Sequence, residues 1–224
     1  MDVHEHRLQV PRTARYAQLG ELATARQLWL VCHGYGQLAS YFIRHFRLAA
    51  EQVPGTVVVA PEGLSRFYLQ GNGGRVGATW MTSEDRLTEI EDFSAYLDVL
   101  LTRLLPQCPP DVQVVVLGFS QGATTLSRWL LRGSFTPAHL VLWAGTFPED
   151  VDPAAASALL TRLPRLTVIC GDADSYLPEA RVNAQLELLR QHGARPDIRW
   201  FEGQHELKPP LLLQLAQQQA QIEQ

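Results

Sequence analysis

A chain of 224 residues has the size of one α/β domain. At this length folding buries roughly 70% of the extended-chain surface without a metal or disulfide staple. Hydrophobic residues at 46% and charged residues at 19% exclude a disordered tail or a fibre. Nineteen basic against 23 acidic residues give a formal charge of -4, which offers no global attraction to nucleic acid or anionic lipid.

The three cysteines, Cys32, Cys108 and Cys170, contain no C-x-x-C pair and fit free thiols in a reducing compartment. The opening MDVHEHRLQV lacks the basic and apolar regions of a secretory signal. No run of 18 apolar residues marks a transmembrane helix. The expectation is a cytoplasmic protein without stable membrane insertion. Lys208 is the only lysine, which leaves little scope for Schiff-base or P-loop chemistry.

In chain order, the alternating segment from Glu5 to Leu19 predicts one or two edge strands. Six runs bounded by Gly or Pro and rich in β-branched residues predict buried strands: Leu28 to Cys32, Thr56 to Ala60, Val112 to Leu117, His139 to Trp143, Leu166 to Cys170 and Asp197 to Phe201. Val57-Val58-Val59 and Val114-Val115-Val116 are continuously apolar, as parallel strands covered on both faces require.

Helical periods separate them. Leu38, Phe42, His45, Phe46, Ala49 and Val53 form the first stripe. Leu87, Ile90, Phe93, Leu97, Leu101 and Leu104 form the second, with Thr82 and Asp85 as a capping box. Ala123, Leu126 and Trp129-Leu130 follow, and then Val182, Leu186 and Leu189. A short helical piece is expected from Ala154 to Leu163. A terminal helix runs through Leu211, Leu215 and Ile222. Glycine-rich residues 71–77 lack the dinucleotide-binding spacing and predict a mobile loop. Strand-helix alternation predicts a single domain over residues 1–224, with a mostly parallel sheet between two helical layers.

Gly118-Phe119-Ser120-Gln121-Gly122 joins the third run to a helix. G-x-S-x-G at a strand-to-helix turn lifts the serine above the sheet in a strained state and places a helix N-terminus behind it. Ser120 is the expected nucleophile, and it needs a base oriented by an acid. The chain order Ser, acid, His leaves His192 and His205 as bases. His192 sits in the last turn of a helix, where it has a structural explanation. His205 follows a strand end, where ligand and catalytic groups collect, and is the expected general base. Asp172 and Asp174 compete as the acid, and the residues alone leave them nearly even.

The expected oxyanion donors are the main-chain N–H groups of Gln121 and Tyr35, the latter in His33-Gly34-Tyr35-Gly36-Gln37. His33 precedes the acid and predicts a structural histidine. His4 and His6 predict solvated side chains, and no metal or cofactor is expected.

These pieces resemble the α/β-hydrolase superfamily. More closely, they resemble its phospholipase/carboxylesterase group of small bacterial esterases related to acyl-protein thioesterases. The resemblance rests on His33-Gly34-x-Gly36, Pro61-Glu62-Gly63, the Ser120 pentapeptide, Gly171-x-x-Asp174-x-x-x-Pro178 and Gly203-x-His205, and spans about residues 28 to 206. It implies an α/β-hydrolase fold without a large cap domain and selects Asp174 as the acid. It also implies that residues 66–82 lie beside the substrate, with Trp80 either contacting it or packing. Gln37 departs from the thioesterase branch, which carries an acidic residue there. The implied activity is carboxylic-ester hydrolysis of a small-molecule substrate. A thioesterase and a non-catalytic ligand-binding protein on the same fold are the alternatives.

Overall fold

The computed structural model describes residues 2–221. In chain order its elements begin with β1 (Tyr16–Leu19), β2 (Gln27–Cys32), α1 (Ala39–Phe42), α2 (Arg47–Gln52) and β3 (Thr56–Pro61). Next come β4 (Ser65–Gln70), β5 (Gly73–Thr79), α3 (Arg86–Leu104), β6 (Gln113–Phe119), α4 (Gln121–Arg132) and β7 (His139–Trp143). The chain closes with α5 (Pro153–Arg162), β8 (Leu166–Gly171), α6 (Glu179–Gln191), β9 (Asp197–Phe201) and α7 (Pro209–Gln221). Ile222, part of the expected terminal stripe, lies outside the described residues.

Seven strands form one sheet in the order β1-β3-β2-β6-β7-β8-β9. All neighbours are parallel except β1, which runs antiparallel to β3. Alternation along each strand sorts the core into two layers. Leu28, Leu30, Val114, Val116, Leu140 and Val168 face α3, α4, α5 and α6. Trp29, Val31, Val115, Leu117, Val141 and Ile169 face α1, α2 and α7. Both faces of the central strands β2, β3, β6, β7 and β8 are covered, which is why their sequences are largely apolar. By contrast β9, expected to be buried, is a half-exposed edge strand. No helix among the described residues is long and apolar enough to cross a membrane.

Three expectations are corrected in detail. The glycine-rich stretch is β5, which pairs antiparallel with β4 in a separate two-stranded sheet. The first helical stripe is broken by a 3-10 turn at Ile43–Phe46. The capping box does not form, because Asp85 adopts a left-handed conformation (φ 46°) and makes no side-chain cap bond. Glu89 instead accepts from the Thr82 N–H at 2.6 Å and the Thr82 hydroxyl at 3.1 Å. Asp85 meanwhile pairs with Arg7.

His139 introduces an acid-sensitive point into this core. It is buried, its Nε2 meets Thr167 Oγ1 at 2.8 Å and its Nδ1 has no partner. Burial, followed by the charges of Arg165 and Arg199, pushes its pKa from 6.5 down to about 3. The folded state therefore holds a neutral ring where the unfolded chain takes up a proton. Stability is complete above pH 6.5 and falls as pH drops from there toward 3, at about 1.4 kcal/mol per pH unit for one proton. Urea unfolding at a series of pH values should show a shallower dependence for His139→Leu than for wild type. An unchanged slope would remove His139 as the cause.

Candidate active site

Strand register assembles one site at the carboxyl edge of the sheet. Cys32 pairs with Gly118, so the loop after β2 leaves beside the turn that carries Ser120. Gly171 pairs with Phe201, so the loop after β8 leaves beside the loop holding His205.

Ser120 has φ 54° and ψ -119°, a left-handed state that costs a non-glycine residue about 1–3 kcal/mol. The surroundings hold it there. Its N–H donates to the Trp143 carbonyl at 2.9 Å, and its own carbonyl accepts from Ala123 at 3.0 Å. The flanking glycines are steric requirements. A Cβ at Gly118 would collide with Gly122 O and Ala123 N, and one at Gly122 would collide with Cys32 O. The helix α4 starts directly behind the serine, so its unpaired N–H groups and dipole face the site.

His205 Nδ1 donates to Asp174 Oδ2 at 2.7 Å. The Asp174 carboxylate is buried, and its Oδ1 accepts from the N–H groups of Tyr176 at 2.8 Å and Leu177 at 3.1 Å. Asp172 is engaged differently, accepting from the Gly203 N–H at 3.0 Å. The imidazole lies between two rings. Phe119, adjacent to Ser120, has its centroid 5.0 Å away, and Tyr176 has its centroid 4.9 Å away. Phe119 thus brings the His205 ring beside the serine turn. The neighbouring Cys170 thiol is pushed up to about 12 by burial and by the charge of Asp174, so it stays neutral.

The loop after β2 closes the other side. A Cβ at Gly34 would lie 3.1 Å from Phe119 and 3.2 Å from Ser120 Cβ. This close approach brings the next residue, Tyr35, to the serine turn. Among the described residues, neither the Tyr35 nor the Gln121 main-chain N–H has a hydrogen-bond acceptor. Gln37, whose role the sequence does not reveal, braces the loop by accepting from the Gly34 N–H at 2.8 Å. His33 is buried with its pKa lowered, chiefly by burial. Its Nδ1 donates to Gly34 O at 2.8 Å and its Nε2 accepts from the Gly63 N–H at 3.0 Å.

Two further side chains tie this loop to its surroundings. The Gln121 amide accepts from Trp80 N at 3.1 Å and from Thr79 Oγ1 at 3.1 Å, and donates to Met81 O at 2.8 Å. Buried Glu62 pairs with Arg15 at 2.6 Å and Arg66 at 3.3 Å. It also accepts from the Ala39 N–H at 3.3 Å.

The fold matches many solved structures. One is esterase PE8, at 25% identity and a TM-score of 0.69, covering 94% of this chain and 100% of that one. The chain has the α/β-hydrolase fold. A carboxylesterase from Mesorhizobium loti matches at 24% identity and a TM-score of 0.70, covering 92% and 94% of the two chains. Acyl-protein thioesterase 2 from Zea mays matches at 18% identity and a TM-score of 0.68, covering 93% and 99%. No protein-family model and no curated protein matches the chain. In this α/β-hydrolase fold the loops after β2, β6, β8 and β9 carry Tyr35, Ser120, Asp174 and His205 respectively.

Trp80 is packed into the interior of this fold. Trp80 is only 2% exposed, packs edge-on against Phe93 and donates its indole N–H to His33 O at 2.9 Å. The end of β5 turns this ring inward beneath the loop after β2. Phe67 and Leu69 of β4 take the outer position, against Tyr35 and Gly36. Tyr176, which the sequence argument leaves without a role, covers His205. Its only sequence signal is an aromatic residue two positions after Asp174. His192 lies remote from these groups, its Nδ1 3.0 Å from Ser157 Oγ at the end of α6. No cluster of three or more His, Cys, Asp or Glu residues able to hold a metal occurs among the described residues.

Proposed function

We propose that the protein is a serine hydrolase of carboxylic esters, with Ser120 as nucleophile, His205 as general base and acid, and Asp174 as the orienting acid. The observation that carries this reading is a strained serine at a helix N-terminus whose neighbour Phe119 packs against a histidine held by a buried carboxylate. The Ser120 oxygen attacks the ester carbonyl carbon while its proton passes to His205 Nε2. The carbonyl oxygen becomes an oxyanion that accepts from the Tyr35 and Gln121 N–H groups. Collapse breaks the bond to the alcohol, which leaves with the proton from His205. Water then attacks the acyl-serine, gives its proton to His205, and releases the acid as Ser120 recovers its proton. Throughout, the Nδ1 proton stays directed at Asp174, stabilising the imidazolium. No step needs a metal or cofactor.

The lack of a large insertion between β7 and β8 supports a small-molecule ester. The unpaired cysteines support a reducing, cytoplasmic setting. Exposure to a small fluorophosphonate followed by intact-mass measurement tests the chemistry. One covalent adduct, localised to Ser120, is expected. A folded protein that forms no adduct would overturn the reading in favour of a non-catalytic ligand-binding protein. A panel of oxygen esters and thioesters then separates esterase from thioesterase.

A further inference from the structure

Three large apolar side chains surround the serine turn without being covered. Tyr176 is 80% exposed, Tyr35 is 60% exposed and Leu69 is 38% exposed. Each has a fixed place. The Tyr176 ring lies 4.9 Å from the His205 ring, the Tyr35 ring lies 5.1 Å from that of Phe67, and Leu69 rests against Gly36. Strand order sets the two tyrosines on opposite sides of Ser120. Tyr35 follows β2, which flanks β6 on one side, and Tyr176 follows β8, which lies on the other. The roomiest groove described, about 390 Å³, opens elsewhere, between Leu105, Phe135 and Pro164 at the amino-terminal ends of the strands.

Extending the hydrolase reading, on which it rests, we infer that Tyr35 and Tyr176 form an aromatic clamp selecting esters that carry a flat ring next to the scissile bond. Each tyrosine contacts its partner ring at a tilt, 36° for Tyr35 and 49° for Tyr176, and most of its surface remains open to a ligand. Ring pairs prefer offset or edge-on contact at centroid separations of 4.5–7 Å, and a pre-placed ring loses little freedom on binding. A long flexible aliphatic chain gains less from such a surface, because ordering it costs rotamer freedom that a flat ring does not have to give up.

The test uses two series with matched leaving groups. Methyl 3-phenylpropanoate is compared with methyl hexanoate, and benzyl acetate with hexyl acetate, by kcat/KM. In at least one series the ring-bearing ester should be favoured about tenfold. That ratio should fall toward one in Tyr176→Leu or Tyr35→Leu, through KM more than kcat. Ratios near one in both wild-type series, or a ratio unchanged in both variants, would overturn the clamp. Fluorophosphonate labelling keeps the outcomes apart. A wild type that labels at Ser120 but shows no ring preference refutes the clamp alone, whereas failure to label refutes the hydrolase reading beneath it.

Discussion

Ser120→Ala is expected to lower kcat for ester hydrolysis by about 10⁵-fold or more and to abolish the fluorophosphonate adduct. The loss is large because histidine, acid and oxyanion donors act through the serine oxygen as a unit, so removing it leaves them nothing to activate. The same position makes a second, independent prediction about stability. Ser120 is held at φ 54°, and alanine inherits that strain because it keeps the Cβ. Ser120→Gly removes it. Ser120→Gly should be as inactive as Ser120→Ala yet about 1 kcal/mol more stable, a Tm higher by about 2–4 °C for a chain of this length. Calorimetry and ester assays on the two variants check both halves. Retention of more than a few per cent of wild-type turnover by Ser120→Ala would end the nucleophile assignment. Equal melting temperatures would show that the turn stores no strain.

Sequence reasoning reached the sheet and the serine turn because both are dictated locally. The six predicted strands are all found; five are buried, whereas β9, expected to be buried, is the half-exposed edge of the sheet. The G-x-S-x-G turn is legible because its two glycines are forced by backbone contacts within five residues and with β2. What escaped was dictated at a distance. β5 contains glycines at 73, 74 and 77 that argue against a strand. It forms because β4 pairs with it and because Ala78 exchanges hydrogen bonds with Gly36 and Gln37. Gly77 itself is required by the close passage of Gly36, whose carbonyl a Cβ would strike. Context of this kind overrides strand propensity.

Trp80 shows the same limit, since nothing in Ala78-Thr79-Trp80-Met81 says which way the ring turns. Its direction follows from the Gln121 amide, which grips Trp80 N and Met81 O from across the site. Glu62 was legible as a motif residue. Its burial, however, depends on Arg15, 47 positions away, and no local pattern announces that pairing.

Asp174→Asn is expected to cost about 10⁴-fold in kcat, whereas Asp172→Asn should cost less than about threefold. The two aspartates are two residues apart, and the difference lies in what their oxygens hold. Asp174 spends Oδ1 on the N–H groups of Tyr176 and Leu177 and Oδ2 on His205. An asparagine there keeps its carbonyl on the two backbone donors and must turn its NH₂ toward His205 Nδ1. Donor then faces donor, so the ring takes the other tautomer, with its proton on Nε2. In that form Nε2 cannot accept the serine proton, and the general base is lost while the fold is kept. Asp172 accepts from Gly203 N, which an asparagine carbonyl serves equally well, and it makes no bond to the imidazole. Steady-state kinetics on both variants, with circular dichroism to verify folding, decides between them. A larger loss in Asp172→Asn would move the acid to that residue. It would also require the loop after β8 to rearrange when substrate binds, because the Asp174–His205 contact could not then be the working one.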